Sequence, residues 1–401
     1  MRIIKCSLAA AMAVSIVGSS LSAGEFSDAF KNGKINGALQ AYYFDQSRGG
    51  TSAAILNTGI DLSYKTAKYH GFTFKATVET SDSLYTDGDT LSGKPGFKID
   101  MEGSGASLSE SYLQYTADKT TAKVGRMYMR TPLFAGSPSR MNMEAFEGAW
   151  VVNNSIADTT LMVAYVQKFK GRTDFNGNIG EFTENVAVSI DHLRSGSTPH
   201  YTMNLVNGAY QVAVINKSIP GVKITAAYAD VVDMVKIAYG EVAYKNTING
   251  LRYGAGAQYY YNGYEAGEVT GMLGVKATLG MGAFDFMTAF NKTGADQDVI
   301  MGLGNGAYLA YTGSPIYSWP ATKDSESYMA SLRYKITDNA SMMIGYYNDY
   351  WEFKKEIDYN FIGGRYECTG DLKGLGFVAH YEAQGKDSDD AFFRFRTNYR
   401  F

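Results

Sequence analysis

Arg394 and Arg396 stand two residues apart near the end of the 401-residue chain. On an extended strand that spacing projects both guanidinium groups to one side, about 7 Å apart, with Phe393 and Phe395 on the other. Two guanidinium groups in a row offer a carboxylate successive bidentate sites, so an anion can step along them without being held fast. Lys65, Lys75, Arg252, Lys276, Arg333 and Lys335 fall on the polar side of similar alternating runs and extend the basic row. Asp61, Glu79, Glu110 and Asp285 occupy equivalent positions as carboxylates. Opposite charges facing across water set a transverse field that orients a dipolar solute. The plainer alternative for any one of these residues is that it pairs with a neighbour and keeps an interior wet. Arg400 is nearest the terminus and is placed at a rim.

Other chemistries find little support. A barrel-borne hydrolase needs a histidine tied to a nucleophile or carboxylate. His70 falls in a short turn, His192 and His200 in a long loop, and His380 on an inward face, none within such a motif. Cys6 precedes the first apolar run and Cys368 is the only later cysteine, so no intramolecular disulfide joins the remainder. One late cysteine and four histidines leave little for a zinc site, and no cofactor or metal is expected. Lys plus Arg number 37 against 40 Asp plus Glu, a balance that gives no reason to expect nucleic acid.

The elements that must carry the charged residues are strands. Phe72, Phe74, Ala76 and Val78 alternate with Thr73, Lys75, Thr77 and Glu79; Ile60, Leu62 and Tyr64 alternate with Asp61, Ser63 and Lys65. Leu251 to Tyr260 and Ser331 to Ile336 repeat the pattern, the period-2 signature of a sheet with one apolar face. Short turns are marked at Tyr69-His70, Asp118-Lys119, Ile156-Ala157-Asp158, Pro220-Gly221, Asn249-Gly250, Met281-Gly282, Asp338-Asn339 and Gly370-Asp371. Eight turns on one side imply 18 strands in an all-β, up-and-down transmembrane barrel; one turn fewer implies 16. Longer polar connections run from Ser81 to Ala106, Phe169 to Asn207 and Asn291 to Asp324. An echo of Asn153-Asn154-Ser155-Ile156 at Asn216-Lys217-Ser218-Ile219 is read as one hairpin chemistry used twice.

Composition fits a wall in lipid: Tyr 31 against Trp 3, Gly 44 and Pro 7. Mean hydropathy is −0.21, because only every second residue of such a strand meets lipid. Met1-Arg2-Ile3-Ile4-Lys5, the apolar run Ser7–Val17 and the small residues up to Ala23 form a secretory leader over 1–23, leaving 24–401 as one barrel. The chain ends Phe393, Phe395, Thr397, Tyr399, Phe401 on one face. A terminal Phe preceded two residues earlier by an aromatic is read as an outer-membrane assembly signal, Tyr399 and Phe401, with the last strand closing onto Ile35–Phe44. The residues alone therefore indicate a passive diffusion channel of a Gram-negative outer membrane, exported through the periplasm, with lipid, lipopolysaccharide and the barrel-assembly machinery as partners. An unselective general porin and a surface adhesin or structural barrel stand as alternatives.

Val124-Gly125-Arg126, Thr131-Pro132-Leu133, Gly136-Ser137-Pro138-Ser139-Arg140-Met141 and Phe146-Glu147-Gly148-Ala149 together resemble the constriction segment of the OprD-type porins. Asn36–Phe44, Val212–Tyr228 and Gly280–Lys292 resemble further pieces of that family. The resemblance implies 18 strands, a possible homotrimer, and loops folded into the lumen near 131–146 and 292–324. It also implies uptake of small carboxylate-bearing nutrients along a basic row. In those loops Arg140, Tyr308 and Tyr311 are the expected constriction, with Tyr317 and Trp319 beside them.

Overall fold

The computed structural model describes residues 23–48, 51–87, 103–174, 177–188, 201–316, 321–351, 355–385 and 390–401. The expected leader, apart from Ala23, and His192, His200, Tyr317 and Trp319 lie outside the described residues. The chain begins with a short helix, α1 (Ala23–Lys31), and then runs β1 (Lys34–Arg48), β2 (Thr51–Lys65), β3 (Phe72–Thr86), β4 (Gly105–Ala117), β5 (Thr120–Met127), β6 (Ala145–Asn153) and β7 (Thr159–Lys170). Three small strands follow: β8 (Phe182–Thr183), β9 (Asn185–Val188) and β10 (Tyr201–Asn204). Then come β11 (Ala209–Asn216), β12 (Val222–Val231), β13 (Val235–Ile248), β14 (Leu251–Tyr264), β15 (Val269–Met281) and β16 (Phe284–Thr293). The last are β17 (Glu326–Lys335), β18 (Ala340–Trp351), β19 (Lys355–Glu367), β20 (Leu375–Gln384) and β21 (Ala391–Arg400).

Every strand except β8–β10 belongs to one antiparallel wall of 18, among the described residues. β1 pairs with β21 from Ala38 opposite Arg400 to Ser47 opposite Ala391, so the sheet closes and presents no edge. All eight predicted turns lie in or against the eight short connections at one end, which decides for 18 strands over 16. Their chemistry is local. Asn249 and Gly250 both have positive φ (51° and 81°), the pair a two-residue type I′ hairpin requires. Two expectations shift. Ser81–Thr86 extends β3 instead of opening a loop, and the alternating piece near Val186 pairs as β9 with β10, off the wall. α1 lies against the short-turn end, where Ala67 N–H donates to Ala29 at 2.9 Å and Phe26 meets the Tyr69 ring at 5.7 Å. Alternation gave no warning of it.

The two faces of the wall differ as the period-2 pattern requires. Ile60, Leu62, Val163, Val212, Leu273, Phe286, Ile344 and Ile362 all point outward and stay exposed. A contiguous apolar belt of that kind is far larger than water tolerates on a soluble monomer, and lipid is the solvent it fits. Aromatics edge the belt at both ends. Tyr165 and Tyr210 (4.9 Å) and Phe290 and Tyr328 (4.9 Å) lie toward the long loops; Phe72 and Tyr115 (4.7 Å) and Phe284 and Tyr334 (4.9 Å) lie toward the turns. Inward residues are polar or carry the packing inside the barrel.

Phe401 completes the seam. Its N–H donates to Gly37 and its carbonyl accepts from Gly37, both at 3.0 Å. Its ring covers Gly37 so closely that an added Cβ there meets it at 2.5 Å. Removing Phe401 deletes two closing hydrogen bonds, each worth about 0.5–1.5 kcal/mol, and the aromatic that anchors them. The expected result is a lower fraction of compact, heat-modifiable barrel on unboiled gels, with the β-rich circular dichroism of the surviving fraction unchanged. Wild-type outer-membrane levels of the truncated chain would count against it.

Candidate functional site

The third and seventh long connections, residues 128–144 and, as far as they are described, 294–316 and 321–325, turn into the barrel. Their apolar side chains explain why. Met129, Leu133 and Phe134 from the third loop and Val299, Ile300, Met301 and Leu303 from the seventh are buried against inward Val231, Val235 and Ile237 of the wall. Burying each such side chain contributes about 1.5–3 kcal/mol. The loops also bond to each other: Ala135 N–H donates to Leu303 at 3.0 Å, Leu303 N–H to Leu133 at 2.8 Å and Gly306 N–H to Ala135 at 2.8 Å. Gly302 (φ 147°) and Gly304 (φ 80°) permit that approach, since a Cβ on either runs into a third-loop carbonyl.

Wall side chains hold the loop backbones. Gln211 accepts from Leu133 N–H at 2.9 Å and from the Thr131 hydroxyl at 2.8 Å. Asn262 both donates to the Ile300 carbonyl (3.0 Å) and accepts from its N–H (2.6 Å). Glu79 accepts from Met143 N–H at 2.8 Å and is ion-paired with fully buried Lys170 at 2.8 Å. Lys170 donates in turn to the Met143 carbonyl at 3.0 Å. Glu144, at the base of the third loop, accepts from Ser137 N–H (2.7 Å), from Asn305 of the seventh loop, and pairs with Arg172 (3.4 Å).

The seventh loop spans the lumen as a strap. Tyr311 donates its hydroxyl to Glu241 on β13 at 2.9 Å. Three residues on, Ser314 donates to Glu382 on β20 at 2.7 Å, and Ile316 N–H donates to the same carboxylate. Burial, with Glu241 beside it, pushes the Tyr311 phenol above its ordinary pKa, so it remains a neutral donor. The tip of the third loop meets this strap at β21. Arg394 donates to the carbonyls of Pro315 (2.9 Å) and Ser139 (3.5 Å) and to His380 Nδ1 (3.1 Å). Arg396 donates to the Pro138 carbonyl. Arg140, next to Ser139, donates to the Tyr42 hydroxyl at 3.2 Å and lies over the Phe44 ring at 5.8 Å. Three guanidinium groups, two of them buried, thus gather where the two loop tips meet the β20–β21–β1 wall, the place an eyelet would occupy.

The predicted residues are sorted by this arrangement. Arg394, Arg396 and Arg140 come together. Lys75 is paired with Glu110, Arg252 with Asp285 (2.9 Å), Lys276 with Glu241 (4.0 Å) and Lys335 with Asp338 (2.6 Å). That last contact, in a short turn, holds the Asp338 carboxyl below its ordinary value. Arg333 stands in register with Asp285 near the same mouth, and Lys65 in register with both Lys34 and Lys75. Glu79 and Glu110 are therefore anchors of the third loop, Glu110 also accepting from the Thr77 hydroxyl at 2.7 Å, in place of bare carboxylates facing the basic row. Asp61 accepts from Gln40 at 2.8 Å. Tyr308 packs with the apolar loop core and Tyr311 holds the strap, so the expected aromatic constriction is divided. Phe401 and Tyr399 sit at the seam, rings 6.3 Å apart.

Sequence reasoning missed Lys170, Arg172, Glu144, Glu241 and Glu382. It also missed Lys123, which lies over the Tyr112 and Trp150 rings at 4.6 and 4.9 Å. Alternation would have placed Lys123 and Glu241 inward, and Lys170 as well, on the parity of inward Ala164 and Val166. Among the described residues no group of three His, Cys, Asp or Glu is placed to hold a metal ion.

Residues 111–338 match the family described as outer membrane porin, OprD family. No curated protein sequence matches the chain. Solved structures share its fold. OpdK of Pseudomonas aeruginosa, determined with vanillate, superposes with a TM-score of 0.75 at 14% identity, covering 93% of this chain and 99% of that one. OccAB4 of Acinetobacter baumannii gives 0.77 at 14% identity over 92% and 98%, and OccAB2 of the same organism 0.76 at 16% over 93% and 99%.

Lys170→Met leaves the Glu79 carboxylate buried without its cation, an expected loss of about 3–5 kcal/mol. The unboiled compact band should melt at lower temperature, and Glu79→Gln added to Lys170→Met should recover part of the loss. A single variant as heat-resistant as the parent would remove the pair from its anchoring role.

Proposed function

The chain belongs to the OprD family of outer-membrane porins, and from that premise we propose that it admits small carboxylate-bearing solutes, selected at the Arg140–Arg394–Arg396 eyelet. The family consists of channels, and its place is the Gram-negative outer membrane. The observation that carries selectivity is the kind of acceptor the arginines hold. Most other basic groups in the predicted row face a carboxylate within 4.0 Å, whereas Arg394 and Arg396 bond to neutral carbonyls of Pro138, Ser139 and Pro315. Among the described residues neither makes an ion pair. An arriving carboxylate offers a charge-assisted bond where the loops offer a neutral one, roughly twice as strong. It passes on because the carbonyls return. Arg400, exposed at the far end of β21, continues the row toward the short-turn end.

The vanillate bound to OpdK is an aromatic carboxylate, which supports the same solute class here. Export by a leader over 1–23, assembly through the C-terminal aromatics and contact with lipopolysaccharide belong to this proposal, as does the absence of catalysis. The barrel encloses its own lumen, so passage does not require a homotrimer. An unselective porin is the competing reading, and it predicts no dependence on these charges.

Arg394→Gln with Arg396→Gln should lower anion relative to cation permeability severalfold in planar bilayers at low salt. The shift should fade as salt shortens the Debye length below about 8 Å. Arg394→Lys with Arg396→Lys should keep the anion preference, because charge remains while the fork that grips the loop tips is gone. An unchanged reversal potential in the Gln pair would refute the role.

A further inference from the structure

Below the strap, on the wall of β11–β13 and β15–β16, lies a cavity of about 450 Å³ that the eyelet does not use. β12 stands across the barrel from β21, with eight wall strands between them in either direction. Three cations line the cavity: Arg130 from the third loop, Lys223 from β12 and Lys276 from β15. A single carboxylate lines it, Glu241, and that group is fully engaged. It takes Lys223 at 2.7 Å, Lys276 at 4.0 Å and the Tyr311 hydroxyl at 2.9 Å. Lys276 also rests over the Tyr311 ring at 3.8 Å. The Arg130 side chain is exposed, with no ion pair or side-chain hydrogen bond among the described residues. Two positive charges are left over.

The rest of the lining is apolar: Met162, Ile215, Met287 and Leu309, with the Tyr239 and Tyr311 rings. Both phenols are already committed, Tyr239 toward Gln258 and Tyr311 toward Glu241. Such walls offer a hydrated inorganic anion nothing in exchange for its water, but they favour a ligand with an apolar body. The volume lies within the roughly 300–1,000 Å³ usual for small-molecule sites, where apolar walls carry a few placed polar groups. We infer that this cavity is a second station for a compact monocarboxylate with an apolar body, its carboxylate held by Arg130 and Lys276. The station rests on the carboxylate reading of the eyelet and refines it, since it selects by the body of the solute where the arginines select by charge alone. Glu241, in the middle of the cluster, repels a second carboxylate on the same ligand.

Benzoate serves as the probe for the intact barrel in a planar bilayer, with acetate as the bodiless control and succinate as the dicarboxylate. Benzoate should interrupt the single-channel current with resolvable dwell times, and acetate and succinate should not. Arg130→Gln should shorten those dwell times about tenfold, the loss expected for one charge-assisted hydrogen bond, and Arg130→Lys should restore most of them. Arg130 bonds to no wall residue through its side chain, so these variants fold if any do; unboiled gel mobility verifies it. Lys276→Gln should act in the same direction. Benzoate dwell times equal in the parent and Arg130→Gln, or acetate interrupting the current as well as benzoate, would overturn the station. Failure of the eyelet reading shows separately, as a reversal potential that does not move in the Arg394/Arg396 Gln pair while benzoate events persist.

Discussion

A loop folded into a barrel brings its backbone N–H and C=O groups into a space from which its own side chains exclude water, and every one of those groups then needs a partner. The wall supplies them. Gln211, Asn262, Glu79 and Glu382 are all nearly or fully buried, and each bonds to loop backbone. Without them the third and seventh loops would be held in the lumen far less firmly, because a buried unpaired amide costs about as much as the apolar packing of one residue returns. The eyelet is therefore a consequence of backbone satisfaction. Arg394 and Arg396 take part in it as donors to loop carbonyls, and only on that footing are they positioned to meet a solute.

This constraint also divides the lumen charges into two populations. Glu79, Glu110, Glu144 and Glu382 are consumed as acceptors, with Lys170, Arg172 and Lys75 present to neutralise most of them. A buried pair of this kind adds little net stability over an apolar one, but it specifies geometry, since breaking it leaves a bare charge. The second population, at β21 and around the cavity opposite, is cationic in excess and bonded to neutral groups or to an overcommitted carboxylate. A uniform basic row along the wall is the simpler expectation from sequence; the observed charge lies in two clusters facing each other across the barrel.

The sequence discloses the wall almost completely because the wall is governed by local rules. Period-2 alternation places Ile60, Val78 and Leu279 outward, and Asn249-Gly250 or Asp118-Lys119 mark turns from two residues alone. The eyelet obeys no local rule. Glu144 meets Asn305 across 161 positions, and Arg394 meets Ser139 across 255. No periodicity connects such partners. The resemblance of the 131–149 segment to a known constriction loop pointed to Arg140, yet nothing in the residues indicated that Glu79 and Glu110 would be spent on holding that loop. Register shifts at Leu56/Asn57, Thr77/Val78 and Glu147/Gly148 add a further limit, since each marks a bulge on the partner strand, at Leu84, Ser109 and Gln167, where strict alternation is locally broken.

The same separation explains how a fold persists at 14% identity with a TM-score of 0.75. An outward position asks only for an apolar or interfacial aromatic side chain, so Ile, Leu, Val and Phe exchange there at small cost. The barrel closes by backbone bonds that any sequence supplies. Inward positions are held more tightly, but each by its own loop, so that a change in the loop licenses a change in the wall. The lumen side chains bound to two loops can therefore change while the wall stays the same. Membership of the family consequently settles architecture and the fact of passage. Which solute passes is a separate question, and on the reading proposed above it falls to the charge, reach and apolar lining of the groups at the eyelet and in the cavity opposite.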